Sequence, residues 1–137
     1  MRVPENKKLL TKSLKNILDY FKTYQLADGS LKNTPQWMFT DWVDVKEWKS
    51  GAGPVGANGT SAVLDLQLLW AYQVAADLET KVGNPAFASQ YLSAIEILKK
   101  TIRAKYWDSN KKLFADREEK DEFSQHTNSL AILTGIV

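Results

Sequence analysis

Apolar residues recur every three or four positions in the first part of the chain. Between Lys7 and Tyr24 they form one stripe of a helix, with lysines opposite. The stripe contains Leu10, Leu14, Ile17, Leu18, Phe21 and Tyr24. We therefore predict an amphipathic helix that ends near Asp28 and Gly29, since glycine readily takes the positive φ that closes a helix.

The next segment has neither helical nor strand periodicity. Pro35 interrupts Leu31 to Trp48, and the stretch GAGPVGANG (51–59) is too rich in Gly and Pro for regular structure. A second helix is predicted from the capping pair Thr60-Ser61 to about Lys81. Its first half, SAVLDLQLLWAYQVAA, is apolar nearly all round, which predicts that protein surrounds it and that Trp70 lies in the core.

Capping signals define a third helix. Gly83 is a C-cap candidate, Asn84 an N-cap and Pro85 a favoured first residue, and the amphipathic pattern continues to about Lys105. The stripe contains Phe87, Tyr91, Ile95, Leu98 and Ile102.

A turn at 108–110 follows the third helix, and Trp107 is expected to pack behind it. It leads to a short extended piece at 113–115 and a charged loop, DREEKDE (116–122). A fourth helix is predicted to begin after the N-cap Ser124 and to continue to Val137 without a stop signal.

The pattern repeats once along the chain, at an offset of about 81 or 82 positions. Each copy reads as an amphipathic helix, a tyrosine, a turn, a short Leu-bearing strand, a loop and a Ser/Thr-capped helix. Such helix pairs bury their faces against neighbouring copies. The prediction is an all-α fold of helix hairpins, with amphipathic outer and apolar inner helices. Two pairs cannot close a ring, so we expect residues 1–137 to be part of a larger helical barrel.

An inner helix with an open side would leave an exposed apolar patch, which is large for a monomer. We therefore expect the chain to self-associate through its inner helices.

Composition excludes several classes of site. The formal charge is +2 with scattered lysines, which predicts no nucleic-acid surface. There is no cysteine and one histidine, so neither a disulfide nor a zinc site is expected. The sequence contains no apolar run long enough for a membrane span, and MRVPENKKLL contains no signal-peptide core.

The candidate chemistry centres on QWMFTDWVDVKEW (36–48), where indoles and carboxylates alternate. If the inner helices are parallel, loops 32–59 and 115–125 meet at one end of the barrel. Indole stacks on the apolar face of a sugar ring, while carboxylates accept from its hydroxyls. The predicted sugar-binding residues are Trp37, Asp41, Trp42, Asn58, Gln125 and His126.

Plainer interpretations remain open for each of these residues. The rings of Trp37, Phe39 and Trp42 could only pin the loop to the helices. Asp41 and Asp44 could be caps or solvated charges, and His126 could cap or pack at the start of a helix.

Three stretches, FTDWVD, GANGTSAVLDLQLLWAY and FSQHTNSLAILTGI, resemble the α-L-rhamnosidase family of inverting glycoside hydrolases. The resemblance implies that the chain is the middle of an (α/α)6 catalytic domain. It also implies that Trp42 walls a rhamnose pocket and that Asp41 bonds hydroxyls or positions a neighbour. Asn58 and Gln125 resemble polar residues at inner-helix starts, whereas His126 is matched to no family histidine.

Inverting hydrolysis requires an acid and a base carboxyl about 6.5–9.5 Å apart. The resemblance places the acid upstream and the base downstream of this chain. We therefore expect no catalytic residue, no metal and no cofactor here, and no hydrolysis by the isolated chain.

Two alternatives follow from the same residues. One is a non-catalytic helical-repeat module that binds glycan or protein on its Trp-rich face. The other is a toroid glycosidase of different sugar specificity, because stacking on tryptophan does not select one sugar.

Overall fold

Helices dominate the structure, a computed structural model that describes residues 4–35, 37–43, 46 and 48–137, with backbone alone at 4, 5, 8 and 49. The helices are α1 (Pro4–Lys22), α2 (Ala62–Val82), α3 (Pro85–Tyr106) and α4 (Gln125–Leu133). Two short strands, β1 (Trp107–Asp108) and β2 (Leu113–Phe114), pair antiparallel between α3 and α4. The predicted all-α class and the order of the four helices are confirmed, as is the packing of the Trp107 ring against Phe114 beside the turn.

The end of α4 differs from the prediction. The helix ends at Leu133, and Gly135 follows with a φ of 64°. The Gly135 N–H donates to the Ile132 carbonyl and the Ile136 N–H to the Ala131 carbonyl, at 3.0 and 3.1 Å. This pair of bonds is a Schellman motif, which satisfies carbonyls that a helix end would leave unpaired. Gly135 is therefore the stop signal that the prediction missed.

The repeat is confirmed by matching hydrogen bonds at the same place in each copy. The Lys32 N–H donates to the Tyr24 carbonyl, and the Ala115 N–H donates to the Tyr106 carbonyl, both at 2.9 Å. In each copy, the side chain of the fourth residue of the inner helix then accepts a hydrogen bond from the backbone of the short extended segment. Asp65 Oδ1 accepts from the Leu31 N–H at 2.7 Å, and Asn128 Oδ1 accepts from the Phe114 N–H at 3.0 Å.

The inner helices α2 and α4 are parallel. The Ala62 N–H at the start of α2 donates to the Asp116 carbonyl, and the Asp116 carboxylate accepts from Ser124 at the start of α4. Further along, Gln73 of α2 donates to the Thr134 carbonyl at the end of α4. The starts of α2 and α4 are therefore in contact, and so are their later turns. The loops that precede the two helices consequently lie at the same end of the helix pair.

A lysine joins the two copies on their outer side. The Lys105 ammonium lies 3.1 Å from Asp28 Oδ2, 2.9 Å from Glu118 Oε1 and 3.0 Å from Ser30 Oγ. Asp28 and Ser30 belong to the turn after α1, and Glu118 to the loop before α4. The Lys105 side chain is mostly buried, so this is a structural ion cluster between the copies.

The core lies between α2 and α3, with Leu66, Leu69, Leu98 and Ile102 fully enclosed. The prediction that Trp70 belongs to the core is wrong, because its side chain is 46% exposed, next to the exposed Val74. Both lie on the flank of α2 that α3 does not cover.

The predicted stripe of α1 is also only partly buried. Leu18 is enclosed and Leu14, Phe21 and Tyr24 pack against the core, whereas Leu10 and Ile17 are more than half exposed. α1 packs mainly against α2 and touches α3 where the Lys15 ammonium lies 5.5 Å from the Phe87 ring, and one edge of its stripe stays exposed. In the described ranges, no helix combines the length and the apolar character that crossing a membrane requires.

Candidate functional site

The aromatic loop, residues 32–59, is folded back on itself by backbone hydrogen bonds. The Thr40 and Asp41 N–H groups both donate to the Gly51 carbonyl, at 2.8 and 3.1 Å, and the Trp37 indole N–H donates to the Ser50 carbonyl at 2.8 Å. A Cβ at Gly51 would lie 2.6 Å from the Phe39 ring, and the φ of this residue is 77°. Glycine is therefore required there, because the ring must lie directly against the backbone.

Three rings form an exposed cluster on this loop. The centroids of Trp37, Phe39 and Trp42 lie 5.1 to 5.9 Å apart, in tilted and edge-to-face arrangements. The Trp42 side chain is 71% exposed and that of Trp37 59%. The exposure of Trp42 argues against a role limited to holding the loop against the helices. Trp37, in contrast, also anchors the loop through its indole N–H.

Asp41 connects this cluster to the start of α4. Its Oδ2 lies 2.8 Å from His126 Nε2, so the imidazole N–H donates to the carboxylate. Its Oδ1 accepts from the Trp42 N–H at 2.8 Å. The hydrogen bond from His126, followed by that from the Trp42 N–H, lowers the pKa of Asp41 below its ordinary value. Asp41 is therefore an ionised acceptor near neutral pH.

The position of His126 follows from the way α4 begins. Ser124 is the N-cap, and its Oγ accepts from the Thr127 N–H at 3.2 Å while its hydroxyl donates to Asp116 at 2.6 Å. Gln125 and His126 are thus the first two residues of a capped helix. The imidazole of His126 rests on Trp48, with ring centroids 4.7 Å apart, and Trp48 is 5% exposed.

Two clefts meet at these first residues of α4. One, of about 380 Å³, lies between the aromatic loop and the loop before α4. The other, of about 340 Å³, runs down α4 past Ser129, Leu130 and Leu133. Gln125 and His126 line both clefts. The first cleft is further lined by Val43, Trp48, Asp116, Glu122, Phe123 and Ser124.

Asn58 belongs to a different network. Its Oδ1 accepts from the Thr60 N–H at 3.0 Å and from the Thr60 hydroxyl at 2.8 Å, which shapes the turn before α2. Its side chain also bonds Glu118. The structure therefore brings Trp37, Asp41, Trp42 and His126 together, with Gln125 beside them, and uses Asn58 in a turn. Asp44, for which a capping role was considered, lies outside the described residues.

Sequence reasoning missed Trp48, Asp116 and Glu122 as cleft residues. Asp116 is held by Ser124 and Thr127, and Glu122 lies 2.6 Å from the Arg117 guanidinium. The spacing of Trp48 from Trp42 was visible in the sequence, but only the loop geometry places its ring under His126. Asp116 and Glu122 sit in a charged loop that resembles any solvated surface loop.

Among the described carboxyls of this site, that of Asp41 does not resemble a general acid, which needs a raised pKa. The pKa of Asp41 is lowered, and Asp116 and Glu122 are each engaged by donors. Burial raises the pKa of Asp65 to about 7, but this carboxyl is fully enclosed and bonded to Leu31 and Tyr106. Over the described residues, no group of three His, Asp or Glu side chains could hold a metal ion.

The fold and the loop-and-helix-end site together define a class: an all-α helix-hairpin protein with an aromatic, carboxylate-bearing loop at the inner-helix starts. In fold, the chain resembles the solved structure of the GH78 family rhamnosidase of Bacillus sp. GL1, with a TM-score of 0.76 at 21% sequence identity. The match covers 97% of this chain and 14% of that rhamnosidase. No family model matches the sequence, and no curated protein is significantly similar to it. The likeness is therefore one of fold.

Proposed function

We propose that this chain is part of an (α/α)6-barrel glycoside hydrolase of the α-L-rhamnosidase type and supplies part of its sugar-binding surface. The observation that carries the proposal is the contact between Asp41 and His126, which places the exposed aromatic cluster beside the cleft at the start of α4. The structural likeness to a rhamnosidase supports the same class at the level of fold.

The chemistry of the contact suits a sugar. Trp42 offers an exposed indole face for the apolar side of a pyranose ring. Asp41 offers an ionised carboxylate that keeps acceptor capacity beyond its two present bonds. Gln125, exposed at the cleft edge, offers both a donor and an acceptor. The proposed ligand is a terminal α-L-rhamnose of a glycan or glycoside.

Catalysis is proposed to belong to the longer parent enzyme, and the chain spans 14% of the rhamnosidase that it resembles. Among the described carboxyls, Asp41 has a lowered pKa, which does not suit the general acid of such a reaction. We expect no turnover of an aryl α-L-rhamnoside by the 137-residue chain. A pH-dependent turnover by highly purified chain, abolished by Asp41→Asn, would overturn this expectation.

The binding test is a titration of L-rhamnose into the chain, followed by tryptophan fluorescence and calorimetry. Trp42→Ala is expected to weaken binding about tenfold, since loss of one stacking face costs roughly 1–2 kcal/mol. Trp70→Phe, which alters an exposed tryptophan outside the aromatic loop, is the matched control and is expected to bind like the unmodified chain.

Other outcomes separate the alternatives. Binding of a different sugar, with the same loss in Trp42→Ala, would favour a toroid glycosidase of other specificity. The absence of binding to any of a panel of sugars would remove the carbohydrate proposal and leave a helical-repeat module that binds protein.

A further inference from the structure

The two copies of the repeat contact each other through two different surfaces. The first copy contributes its inner helix α2, and the second copy contributes its outer helix α3. Leu66 and Leu69 of α2 and Leu98 of α3 are fully enclosed in one core cluster, to which the buried Tyr91 of α3 also belongs. This seam therefore joins an inner helix on one side to an outer helix on the other.

The inner helix of the second copy repeats the α2 surface without a cover. Counted from the equivalent fourth residue of each inner helix, Leu66 and Leu69 correspond to Ser129 and Ile132 of α4. Ser129 is exposed and Ile132 is 68% exposed. We call Ser129 and Ile132 the α4 face. In a longer stack of repeats, this face would receive the outer helix of the next hairpin.

The outer helix of the first copy repeats the α3 surface in the same way. At the repeat offset of 81 positions, Tyr91 and Leu98 correspond to Leu10 and Ile17 of α1. Both α1 side chains are more than half exposed, although the two α3 side chains are buried. We call Leu10 and Ile17 the α1 face. The chain thus exposes one example of each of the two surfaces that its own seam joins.

From this match we propose that copies of the chain associate head to tail, with the α4 face of one copy packed on the α1 face of the next. Ile132 of one copy then meets Ile17 of its neighbour, just as Leu69 and Leu98 share one core cluster within the chain. The contact continues an interface that the sequence already forms. Burial of apolar side chains on both sides drives it.

The size of the assembly rests on the proposed function. Head-to-tail contacts leave one face free at each end until the assembly closes into a ring. Each chain contributes two helix hairpins, and the proposed (α/α)6 barrel contains six. Three copies therefore complete the ring, and every α1 face and every α4 face is then covered.

The same continuation reaches the candidate site. Within the chain, the Ala62 N–H at the start of α2 donates to the carbonyl of Asp116, which belongs to the second copy. The matching position at the start of α4 is Gln125, and the residue that matches Asp116 in the first copy is Asn33. The aromatic loop of the neighbouring copy therefore begins beside Gln125, at the edge of both clefts.

The experiment removes one face at a time from the whole chain. Ile132→Glu places a carboxylate in the α4 face, and Ile17→Glu places one in the α1 face. Each change is expected to weaken the contact about a hundredfold or more, because a carboxylate is costly to bury among apolar side chains. Sedimentation velocity is measured for the unmodified chain, for each variant alone and for an equal mixture of the two. Leu92→Glu, at an exposed apolar position of α3 outside both faces, is the control.

The expected results differ between the variants alone and their mixture. The unmodified chain and Leu92→Glu should sediment as trimers. Each single-face variant should be a monomer, because a head-to-tail contact needs one face from each of two copies. The mixture should form a dimer, since Ile17→Glu retains its α4 face and Ile132→Glu retains its α1 face. Formation of this dimer also shows that both variants are folded.

A second measurement needs no charged substitution. The chain contains no cysteine, so Ile17→Cys and Ile132→Cys can each be joined by a short bismaleimide cross-linker without side reactions at other thiols. Head-to-tail packing predicts that an equal mixture yields mainly 17-to-132 cross-links. A predominance of 17-to-17 or 132-to-132 products would show that each face packs on itself, and the proposal would then be wrong.

Several outcomes would overturn the proposal. Assembly of either single-face variant to the size of the unmodified chain would do so, as would a monomeric mixture of variants whose unmodified parent assembles. A monomeric unmodified chain would show that other segments of a parent enzyme, and not further copies, cover these faces. The L-rhamnose titration tests the proposed function separately. A head-to-tail trimer that binds no sugar would remove the sugar and keep the assembly.

Discussion

Asp65 is a buried carboxyl with two donors and no exposure to solvent. Its Oδ1 accepts from the Leu31 N–H and its Oδ2 from the Tyr106 hydroxyl at 2.7 Å. Burial outweighs both bonds and raises the pKa of Asp65 from 3.8 to about 7. The equivalent position in the second copy is Asn128, a neutral side chain that accepts from the equivalent backbone N–H. An amide should therefore serve at position 65 as well.

The stability of the chain should depend on the proton carried by Asp65. The folded state holds this proton up to about pH 7 and the unfolded state only to about pH 3.8, so the contribution is complete below pH 3.8 and declines as pH rises to about 7. This contribution to the free energy of unfolding is about 4 kcal/mol at most, because the pKa of Asp65 differs by roughly three units between the folded and unfolded states.

Asp65→Asn should remove this component. Both proteins are unfolded with urea at several pH values. The free energy of unfolding of the variant is expected to rise relative to that of the unmodified chain between about pH 4 and 7, and the difference should stay constant above pH 7. Parallel curves for the two proteins over this interval would show that Asp65 does not carry the proton.

Prediction from sequence was uneven at individual residues. Trp37, Asp41, Trp42 and His126 were selected by residue type and do meet, but the Asp41–His126 contact spans 85 positions and no local pattern announces it. Asn58 was selected by type as well, and a bond to the hydroxyl of Thr60 two residues later assigns it to a turn instead. Residue type identifies candidates, whereas loop geometry decides which candidates face each other.

The starts of the two inner helices provide a matched comparison at the scale of elements. Both begin with serine, but Ser124 accepts from the Thr127 N–H and donates to Asp116, whereas Ser61 makes no side-chain cap bond. The Ala62 N–H at the start of α2 is instead satisfied by the Asp116 carbonyl. The sequence pattern predicts the same N-cap role for both serines.

Ser124→Ala should lower the free energy of unfolding by about 1 kcal/mol, the usual cost of a lost N-cap. Ser61→Ala should change it by less than about 0.5 kcal/mol, because the buried Ser61 hydroxyl has no hydrogen-bond partner in the described part of the chain and its removal leaves no other group unpaired. Urea midpoints of the two variants, measured side by side, test the pair. A larger loss for Ser61→Ala would mean that its hydroxyl caps α2 in solution.

Element boundaries were predicted well where a residue type acts locally. Asn84 and Pro85 define the start of α3, and the Asn84 side chain accepts from the Ala86 N–H as an N-cap should. The end of α4 was missed because Gly135 lies two residues before the end of the sequence, and the pattern was extended through it. A helix end is signalled by one residue, while its interior is signalled by many.

At the scale of the whole molecule, one flank of the inner helices lacks a partner in the described structure. Trp70 and Val74 on α2, and Ile132 and Leu133 on α4, are each about half exposed or more. The nearly uniform apolar pattern of α2 predicted enclosure on every side, which two hairpins cannot provide. The flank matches the open side that the repeat pattern anticipated, and we propose that it causes self-association.

A charged side chain on this flank should reduce self-association of the chain. Trp70→Glu is expected to shift the sedimentation coefficient toward that of a monomer, because a carboxylate is costly to bury in an apolar contact. Leu92→Glu, at a comparably exposed apolar position on the outer helix α3, is the matched control and should associate like the unmodified chain. A monodisperse monomer for the unmodified chain at high concentration would contradict the proposal.

The Lys105 ion cluster has a consequence for how the molecule comes apart. Stacked repeats often fray one unit at a time, because each contacts only its neighbour. Here the mostly buried Lys105 ammonium binds Asp28 of the first hairpin and Glu118 of its own, so separating the hairpins would break the Asp28 ion pair and open the core between α2 and α3 at the same time. The two hairpins should consequently melt as one body, without a populated half-open form.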